Sequence, residues 1–239
     1  RAAMSAGPIA PGAHIVIVGG SLAGVRAAAA LRELGFGGHL SIVDQSPHPP
    51  YDRPPLSKGL LTGAQAEADI RLRDLDDMDV TWQGGRSALG LSTDSRVLHL
   101  DDGGRLDFDG LIIATGVSPR SLGRSSTEPG PLLLRSLDHA RVLRRGLTER
   151  TGRLLVIGAG FIGTEVAASA RSLDWDVTLV ARESAPLRRA LGDDLGMYVA
   201  SLHRRHGVGL RLDTAITDLH VAANHSGRAM LDDGSTIEA

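Results

Sequence analysis

Two runs of β-branched residues and leucine occur in the chain, and each is followed by a glycine-rich turn and an alanine-rich segment. The first run covers residues 14–18 and the second covers residues 154–157. A nearly continuous apolar run is typical of a parallel strand that is buried on both faces. The segments that follow have helical character and predict helices over residues 22–34 and 161–173, with Gly35 ending the first one. The pattern predicts an α/β protein that contains the same strand–turn–helix unit twice.

Shorter apolar runs predict the remaining strands. Residues 40–43 and 177–180 supply the second strand of each unit, and residues 111–113 form another buried strand. Residues 97–100 and 106–108 are two short strand-like runs on either side of Asp102-Gly103, and together they predict a hairpin. Two stretches rich in proline are predicted to be irregular: residues 46–56, and a linker or crossover at residues 117–131.

The second half of the chain repeats the plan of the first half. Residues 230–234 match the hairpin turn at residues 100–103, which in the first half leads directly into the strand at residues 111–113. In the second half the chain reaches Ala239 before an equivalent strand. We therefore expect the native polypeptide to be longer, with the C-terminal part of the fold missing here.

The two glycine turns match the fingerprint of dinucleotide-binding units. Gly158, Gly160 and Gly163 form an unbroken fingerprint, whereas the turn from Gly19 to Gly24 has Ser21 in place of the middle glycine. Such a turn lets a pyrophosphate approach the backbone, and the helix N-terminus supplies N–H donors and the positive end of a dipole. Two fingerprints in tandem suggest two dinucleotides placed for hydride transfer between them.

Asp44 strengthens the interpretation of the first turn, which alone is also compatible with a tight structural turn. Asp44 follows Gly24 by about 20 residues, at the end of the second predicted strand, where a carboxylate can accept hydrogen bonds from ribose hydroxyls. A solvated loop aspartate is the alternative.

Composition narrows the classes of function. Hydrophobic residues make up 42% and aromatic residues 3% of the chain, which fits cores of Val, Ile, Leu and Ala. The formal net charge of −2 leads us to expect neither nucleic acid nor an anionic membrane as a partner. These residues include no cysteine, which excludes a catalytic dithiol, a thiolate metal site and disulfides among them.

Neither targeting nor metal binding is indicated. No apolar run approaches the length of a membrane span, and residues 1–13 lack the apolar centre of a signal peptide. We expect a disordered lead-in and a cytoplasmic protein. The nine histidines show no ligand spacing: His203 and His206 are three apart, but Arg204 and Arg205 between them indicate a solvated face. We expect no metal site.

A second distinctive stretch is Tyr51-Asp52-Arg53-Pro54-Pro55-Leu56-Ser57-Lys58, in which two prolines stiffen the backbone between two cations. An exposed basic turn would be the ordinary explanation. However, the run from Pro47 to Lys58, together with Ser21-Leu22-Ala23-Gly24-Val25-Arg26, resembles the FAD-dependent ferredoxin reductases of oxygenase systems. This family includes the putidaredoxin, rubredoxin and biphenyl-dioxygenase ferredoxin reductases and has the two-dinucleotide fold of glutathione reductase.

The resemblance implies which residues contact each cofactor. It places FAD at the first turn, at the cations of the proline stretch, near Ala88, and at an Ala-Thr-Gly turn followed by arginine. Together with Asp44, the predicted FAD-binding residues are Gly19, Ser21, Leu22, Ala23, Gly24, Asp44, Arg53, Lys58, Ala88, Ala114, Thr115, Gly116 and Arg120. The predicted NAD(P)-binding residues are Gly158, Gly160, Phe161, Ile162, Gly163, Glu165 and Arg182.

Two residues are predicted to act in catalysis. The resemblance implies that Glu165 lies beside the nicotinamide and pairs with Lys58, near the flavin, so that both position and polarise rather than react. A carboxylate near a helix N-terminus is also favoured by the helix dipole irrespective of function.

One departure from the family affects the coenzyme. The family usually has glutamate directly after its second-unit strand, whereas this chain has Ala181 and then Arg182, with Glu183 two places late. A cation there suits a 2′-phosphate, so we expect NADPH to be used at least as well as NADH. The alternative is that Glu183 takes the vacant place.

The sequence thus predicts a tandem Rossmann-like α/β protein with a lead-in at 1–13, an FAD-binding domain at 14–121 and an NAD(P)-binding domain at 122–239. The resemblance implies electron transfer from NAD(P)H through FAD to a ferredoxin-type iron–sulfur protein, by a monomer or a homodimer. An NADH oxidase or disulfide reductase of the same fold is one alternative, and the lack of cysteine argues against the latter. A non-enzymatic dinucleotide-binding protein similar to apoptosis-inducing factor is the other.

Overall fold

The computed structural model describes residues 10–72, 75–120 and 130–239. Within this part of the chain the residues group into two compact units. The first contains the chain through Asp52 and Ala68–Val117, and the second contains Arg53–Glu67 and the chain from Ser118 onward. The segment 53–67 therefore groups with the second unit, although the sequence-based boundary at 121/122 placed it in the first. Residues 121–129 of the predicted linker lie outside the described residues.

The first unit is built around a parallel sheet of four strands in the order β3-β2-β1-β7. Three further strands form a small antiparallel sheet in the order β4-β5-β6. In chain order the elements are β1 (His14–Val18), α1 (Leu22–Glu33), β2 (His39–Asp44), β3 (Val80–Gly84), β4 (Ala88–Ser92), β5 (Val97–Leu100), β6 (Arg105–Asp107) and β7 (Gly110–Ile113). The predicted strands of this unit and its hairpin are confirmed.

The second unit repeats the central motif with a parallel sheet of order β10-β9-β8, and adds an antiparallel sheet of order β11-β12-β13. Its elements are α2 (Gly59–Thr62), α3 (Leu137–Glu149), β8 (Arg153–Ile157), α4 (Phe161–Arg171), β9 (Asp176–Val180), α5 (Arg188–Arg205), β10 (Gly209–Arg211), β11 (Ile216–Val221), β12 (Gly227–Leu231) and β13 (Thr236–Glu238). Helix α5 is interrupted at Gly192, which has a non-helical backbone.

Each unit has its own core, formed where the helix after the fingerprint turn, α1 or α4, packs on the parallel strands. In the first unit Ile17 and Ile42 are fully buried with Ala28 of α1. In the second unit Val177 and Leu179 are fully buried with Ala167, Ala170 and others of α4. Alanine on the helix allows close approach to the strand, and each buried branched side chain contributes about 1.5–3 kcal/mol. The cores hold the carboxyl ends of β1, β2, β8 and β9 in place, and those ends carry the candidate site residues.

Helices α1 and α4 end in the same way. After α1, Gly35 donates its N–H to the Arg32 carbonyl and Phe36 donates to Leu31, which is the paired arrangement of a Schellman cap. After α4, Asp174 donates to Arg171 and Trp175 donates to Ala170. Gly35 has a φ of 85° and Asp174 a φ of 62°, so the second unit adopts a left-handed cap without glycine.

Two short segments differ from the expectation of irregular or disordered chain. Residues 10–13 form a turn in which Ala13 is 5% exposed and accepts a hydrogen bond from the His39 N–H. Residues Pro54–Ser57 form a short 3-10 helix, as do Glu67–Ile70 and Asp76–Met78. Proline is accepted at the start of such a turn because its missing N–H would have no partner there.

Candidate functional site

The first fingerprint turn connects β1 to α1 and is fixed by packing. The Gly19 N–H donates to the Val43 carbonyl at 2.8 Å. A methyl group built on Gly24 would overlap the carbonyl oxygen of Gly19, so glycine at 24 is required for the helix to approach the strand. Ser21 occupies the N-cap position but makes no capping hydrogen bond with its side chain, which leaves the first N–H groups of α1 without a side-chain acceptor.

Asp44 ends β2 beside this turn. One carboxylate oxygen accepts the Gly20 N–H at 2.5 Å and the other accepts the Ser46 N–H at 2.7 Å. The backbone carbonyl of Asp44 accepts the Arg86 N–H at 3.0 Å. These contacts hold the carboxylate in one orientation at the strand end, where a ribose is predicted to lie.

The Ala-Thr-Gly turn that follows β7 lies against the first fingerprint. The Ala114 N–H donates to the Val18 carbonyl at 2.7 Å, and a methyl group built on Gly19 would overlap the Ala114 carbonyl and touch the Thr115 nitrogen. Gly116 continues this turn with a φ of 69°. The structure therefore brings together the first fingerprint turn, Asp44 and the Ala-Thr-Gly turn, all predicted to bind FAD, near Gly19.

Ala88, also predicted to contact FAD, lies on β4 opposite Leu100 and packs against a cluster that includes Val18 and Val43, near the ends of β1 and β2. Trp82 of β3 lies beside the turn, since a methyl group on Gly20 would overlap its ring. The sequence reasoning missed Trp82 and Arg86. The position of Trp82 depends on β3 pairing with β2, which has no local signal.

The second fingerprint turn has the same internal contacts. The Gly158 N–H donates to the Val180 carbonyl at 2.8 Å, and a methyl group on Gly163 would overlap the Gly158 carbonyl oxygen. The two apolar side chains at the start of α4, Phe161 and Ile162, are 56% and 48% exposed. A nucleotide could contact this surface in two ways. Its flat ring could pack on the exposed apolar side chains, and its phosphate could accept hydrogen bonds from the free helix N–H groups.

Lys58 and Glu165 both lie in the second unit and meet there. The Lys58 Nζ is 2.7 Å from Glu165 Oε2, and the Ser57 hydroxyl donates to the same oxygen at 2.5 Å. The Ser169 hydroxyl of α4 donates to the Ser57 carbonyl at 2.7 Å, which ties this segment to the helix that carries Glu165. Glu165 is the fifth residue of α4, one position past the first turn, so the helix dipole contributes less than expected.

Sequence reasoning missed Ser57 and Ser169. It also overlooked a compositional signal at Lys58. Lys58 is the single lysine in a sequence with 26 cationic residues, the others all being arginine. Lysine provides a compact ammonium charge where arginine provides a broad planar one. Lys58 therefore places the one compact ammonium charge of this sequence beside Glu165.

Arg53 contains an atom that needs a partner. Its Nε is buried and makes no hydrogen bond within the described part of the chain. It lines a small cavity of the second unit with Leu56, Ser57, Leu134, Arg135 and Ile162. A buried N–H without an acceptor costs about 1–3 kcal/mol, and this cavity of about 30 Å³ has room for a water molecule or a single ligand oxygen that could accept it. Arg120, the last predicted FAD contact, is exposed.

The end of β9 has a different character from the end of β2. Ala181 is 4% exposed and belongs to the core, whereas Arg182 is exposed. Glu183 pairs with Arg189 at 2.9 Å. Asp193 pairs with Arg188 and raises the pKa of that guanidinium through a hydrogen bond, so Arg188 stays charged.

Residues 10–72, 75–120 and 130–239 contain neither a cluster of metal ligands nor a membrane-spanning helix. In these ranges no three or more histidine, aspartate or glutamate side chains converge on a point where a metal could bind. No helix there combines the length and the apolar character that crossing a membrane requires.

The folds and turns of the two units define the class of protein: an α/β protein with two Rossmann-like dinucleotide-binding units. The family model for pyridine nucleotide-disulphide oxidoreductases matches residues 13–239, and the chain belongs to that family. Enzymes of this family use FAD and NAD(P)H.

The relatives confirm the resemblance to ferredoxin reductases. Rhodocoxin reductase of Rhodococcus erythropolis is 36% identical over 229 residues, which are 94% of this chain and 53% of the relative. The ferredoxin–NAD(+) reductase component of the p-cumate 2,3-dioxygenase system of Pseudomonas putida is 37% identical over 228 residues, 94% of this chain and 56% of the relative. The crystal structure of the covalent putidaredoxin reductase–putidaredoxin complex matches with a TM-score of 0.86 and 32% identity, over 95% of this chain and 56% of that chain. The chain spans about half the length of the curated relatives it matches.

Proposed function

We propose that this protein is a flavoenzyme that passes electrons from NAD(P)H through FAD to a ferredoxin-type iron–sulfur protein of an oxygenase system. The observation that carries the proposal is the pair of strand–turn–helix fingerprint units in one chain, in both of which the N-cap residue supplies no side-chain hydrogen bond to the helix. The names of the relatives support the choice of acceptor. A cytoplasmic location belongs to the same proposal, because NAD(P)H is the predicted reductant.

The residues present fit the two cofactors. In the first unit the turn at Gly19 and the fixed carboxylate of Asp44 would hold the FAD pyrophosphate and ribose. In the second unit the turn at Gly158 would hold the pyrophosphate of NAD(P)H. The buried Nε of Arg53 in the second unit needs an acceptor, which a bound cofactor would supply.

Bound FAD would accept a hydride and release single electrons, as an iron–sulfur acceptor requires. This chemistry demands no acid or base from the protein, so Lys58 and Glu165 act by position. The Glu165 carboxylate holds the Lys58 ammonium at 2.7 Å, and the same oxygen accepts a hydrogen bond from the Ser57 hydroxyl. The arrangement keeps one compact positive charge at a defined place beside α4.

Anaerobic stopped-flow kinetics on the FAD-containing protein tests this proposal. We expect NAD(P)H to bleach the flavin absorbance, and a [2Fe–2S] ferredoxin to raise cytochrome c reduction at least tenfold over the rate without ferredoxin. Oxygen consumption as fast as ferredoxin reduction would instead identify an oxidase, and flavin that neither coenzyme reduces would favour a binding protein.

A variant of Lys58 shows whether this residue affects the rate of flavin reduction or the stability of the fold. The Lys58 and Glu165 side chains are 48% and 29% exposed, so the pair contributes no more than about 1 kcal/mol to folding. Lys58→Gln should therefore slow flavin reduction about tenfold or more while the free energy of unfolding changes by less than about 1 kcal/mol. The matched control is Arg141→Gln, which breaks an exposed pair with Glu67 in the same unit and should leave the rate unchanged. Equal rates in both variants would show that Lys58 is a solvated surface charge.

A further inference from the structure

The arginine in the last turn of α1 binds four backbone carbonyl oxygens. Arg32 donates from Nε to the Met78 carbonyl and from one Nη to the Asp79 carbonyl, both at 2.8 Å. Its other Nη donates to the carbonyls of Phe36 at 2.6 Å and Gly38 at 2.8 Å. The side chain is only 18% exposed. One guanidinium therefore joins the turn that follows α1 to the turn that precedes β3.

The second unit repeats this arrangement at the equivalent place. Arg171 is the eighth residue after the last glycine of its fingerprint, as Arg32 is in the first unit. Its Nε donates to the His206 carbonyl at 3.1 Å, and one Nη donates to the carbonyl of Trp175, four positions further along the chain. Phe36 likewise lies four positions after Arg32. Both units therefore share the Nε contact and one Nη contact.

The carbonyls that accept from Nε lie in equivalent turns. Met78 and His206 are each followed by a residue with a left-handed backbone, which is Asp79 with a φ of 48° in one case and Gly207 with a φ of 79° in the other. Strand β3 begins directly after Asp79, and β10 begins two residues after Gly207. Each arginine thus holds the backbone immediately before the third strand of its parallel sheet.

Strands β3 and β10 each lie at the edge of their sheet in the described part of the chain. Strand β3 pairs there with β2, and Val80 is its single fully buried residue. So little burial specifies the register of a strand weakly, and a slip of one residue turns every side chain to the opposite face. A fixed backbone at the start of the strand supplies the register that the side-chain pattern does not.

In the first unit this register decides which side chain faces the fingerprint turn. Trp82 stands opposite Ile42 of β2. A methyl group built on Gly20 would overlap the Trp82 ring and would touch the side chain of Asp44. Only two residues separate Asp79 from Trp82, so a displacement of the carbonyls that Arg32 binds is passed on to this ring.

We propose that Arg32 and Arg171 are positioning residues that set the register of the third strand in their units, and that Arg32 thereby holds Trp82 against the first fingerprint turn. The consequence for FAD binding at that turn rests on the proposed function. Arginine suits the role because its planar guanidinium carries five N–H donors on three nitrogens. Lysine has the same charge but a single donor atom, which cannot bond to both turns in this geometry.

Arg32→Lys tests the proposal because it keeps the charge and removes the fork of donors. In a Trp175→Phe background, Trp82 is the single tryptophan of the sequence, and its fluorescence reports on the turn at Gly20. We expect Arg32→Lys to move this emission to longer wavelength in the folded protein. We also expect the dissociation constant of FAD to rise about tenfold, which corresponds to about 1.4 kcal/mol. A purely stabilising role would lower the Tm and leave both quantities unchanged, which would overturn the proposal.

Two further variants serve as controls in the same background. Arg171→Lys should lower the Tm as Arg32→Lys does, but it should leave Trp82 emission unchanged and FAD affinity within twofold, because it lies in the second unit. Arg105→Lys replaces an exposed arginine of the first unit and should change none of the three quantities. Equal losses of FAD affinity in Arg32→Lys and Arg171→Lys would contradict a role confined to each unit.

Hydrogen exchange of the unsubstituted protein tests the register without a variant. We expect the β3 amides that bond to β2 to exchange as slowly as the amides between β1 and β2, although β3 is an edge strand. Exchange of these amides at the rate of an exposed loop would overturn the positioning role. A protein that binds no FAD would overturn the proposed function instead, and the exchange rates and Trp82 emission would still decide the role of Arg32.

Discussion

The two fingerprint turns share one backbone arrangement and differ where a ligand would touch them. In both turns the first glycine donates to the end of the neighbouring strand at 2.8 Å, Gly19 to Val43 and Gly158 to Val180. In both turns a methyl group on the last glycine, Gly24 or Gly163, would overlap the carbonyl oxygen of the first. The first glycines, Gly19 and Gly158, have φ of 108° and 99°, which disfavour any other residue. The outer glycines are therefore requirements of the fold.

The middle position has no such structural requirement. A methyl group built on Gly160 meets no atom within 4 Å, and the first turn has Ser21 at the equivalent place. The ends of the following strands differ even more, with the carboxylate of Asp44 in one unit and Ala181 followed by Arg182 in the other. The comparison teaches that the fold requires the outer glycines, whereas the residues at the middle position and at the strand end are free to vary with the ligand.

The largest effect that can test this distinction is predicted for the last glycines. Gly24→Ala and Gly163→Ala should each lower the free energy of unfolding by about 3 kcal/mol, because backbone rather than a flexible side chain must move. Gly160→Ala is the matched control: its φ of −79° suits alanine, so its free energy of unfolding should stay within about 0.5 kcal/mol. Urea denaturation measures all three. Equal losses of unfolding free energy in Gly160→Ala and Gly163→Ala would contradict the distinction between glycines that the fold requires and positions that vary with the ligand.

A smaller effect is expected at the strand ends. Asp44→Ala removes the acceptors of the Gly20 and Ser46 N–H groups and should cost about 1–3 kcal/mol, together with a loss of bound FAD. Glu183→Ala, the counterpart in the second unit, breaks a pair in which Arg189 is 88% exposed and should cost less than about 1 kcal/mol. Flavin absorbance and chemical denaturation give both quantities. Full flavin content in Asp44→Ala would show that this carboxylate serves only the turn.

The smallest effect concerns the helix caps. Gly35→Asp should lower the free energy of unfolding by about 0.5–1 kcal/mol, because a side chain at positive φ is strained even though nothing lies within 4 Å of it. Asp174→Gly should raise it by about 0.5 kcal/mol, once the greater freedom of glycine in the unfolded chain is subtracted. Thermal melts of Gly35→Asp and Asp174→Gly would show shifts of Tm in opposite directions. Shifts of the same sign would mean that contacts of Asp174 outweigh its backbone strain.

Sequence reasoning predicted the elements whose signals are local. Strands β1, β2, β8 and β9 are apolar runs, and the hairpin at Asp102-Gly103 has a turn sequence that needs no tertiary information. Strand β3 was missed because only Val80 on it is fully buried, so its pattern is weak. Helix α5 was missed because it buries only Gly196 and Ala200 completely and is broken at Gly192. Helix α3 did have a readable signal, with Leu137, Ala140, Leu143 and Leu147 buried on one face.

The candidate site shows the same limit. The glycines and Asp44 were predictable because their spacing along the chain carries the chemistry. The pairing of Lys58 with Glu165 joins residues 107 positions apart in sequence and was accessible only through the resemblance to a family. Ser57 and Ser169 connect to that pair through contacts that no sequence pattern announces.

The exposed position of the arginines at the end of β9 has an evolutionary consequence. Arg182, Arg188 and Arg189 all lie on the surface, outside the buried core of their unit. Exchanges at such positions usually change the free energy of unfolding by no more than about 0.5 kcal/mol. Substitutions at this strand end can therefore accumulate one residue at a time, without any intermediate sequence that folds poorly. The ends of β2 and β9 are in this sense unequally free to evolve, because the carboxylate of Asp44 also serves the backbone of its own turn.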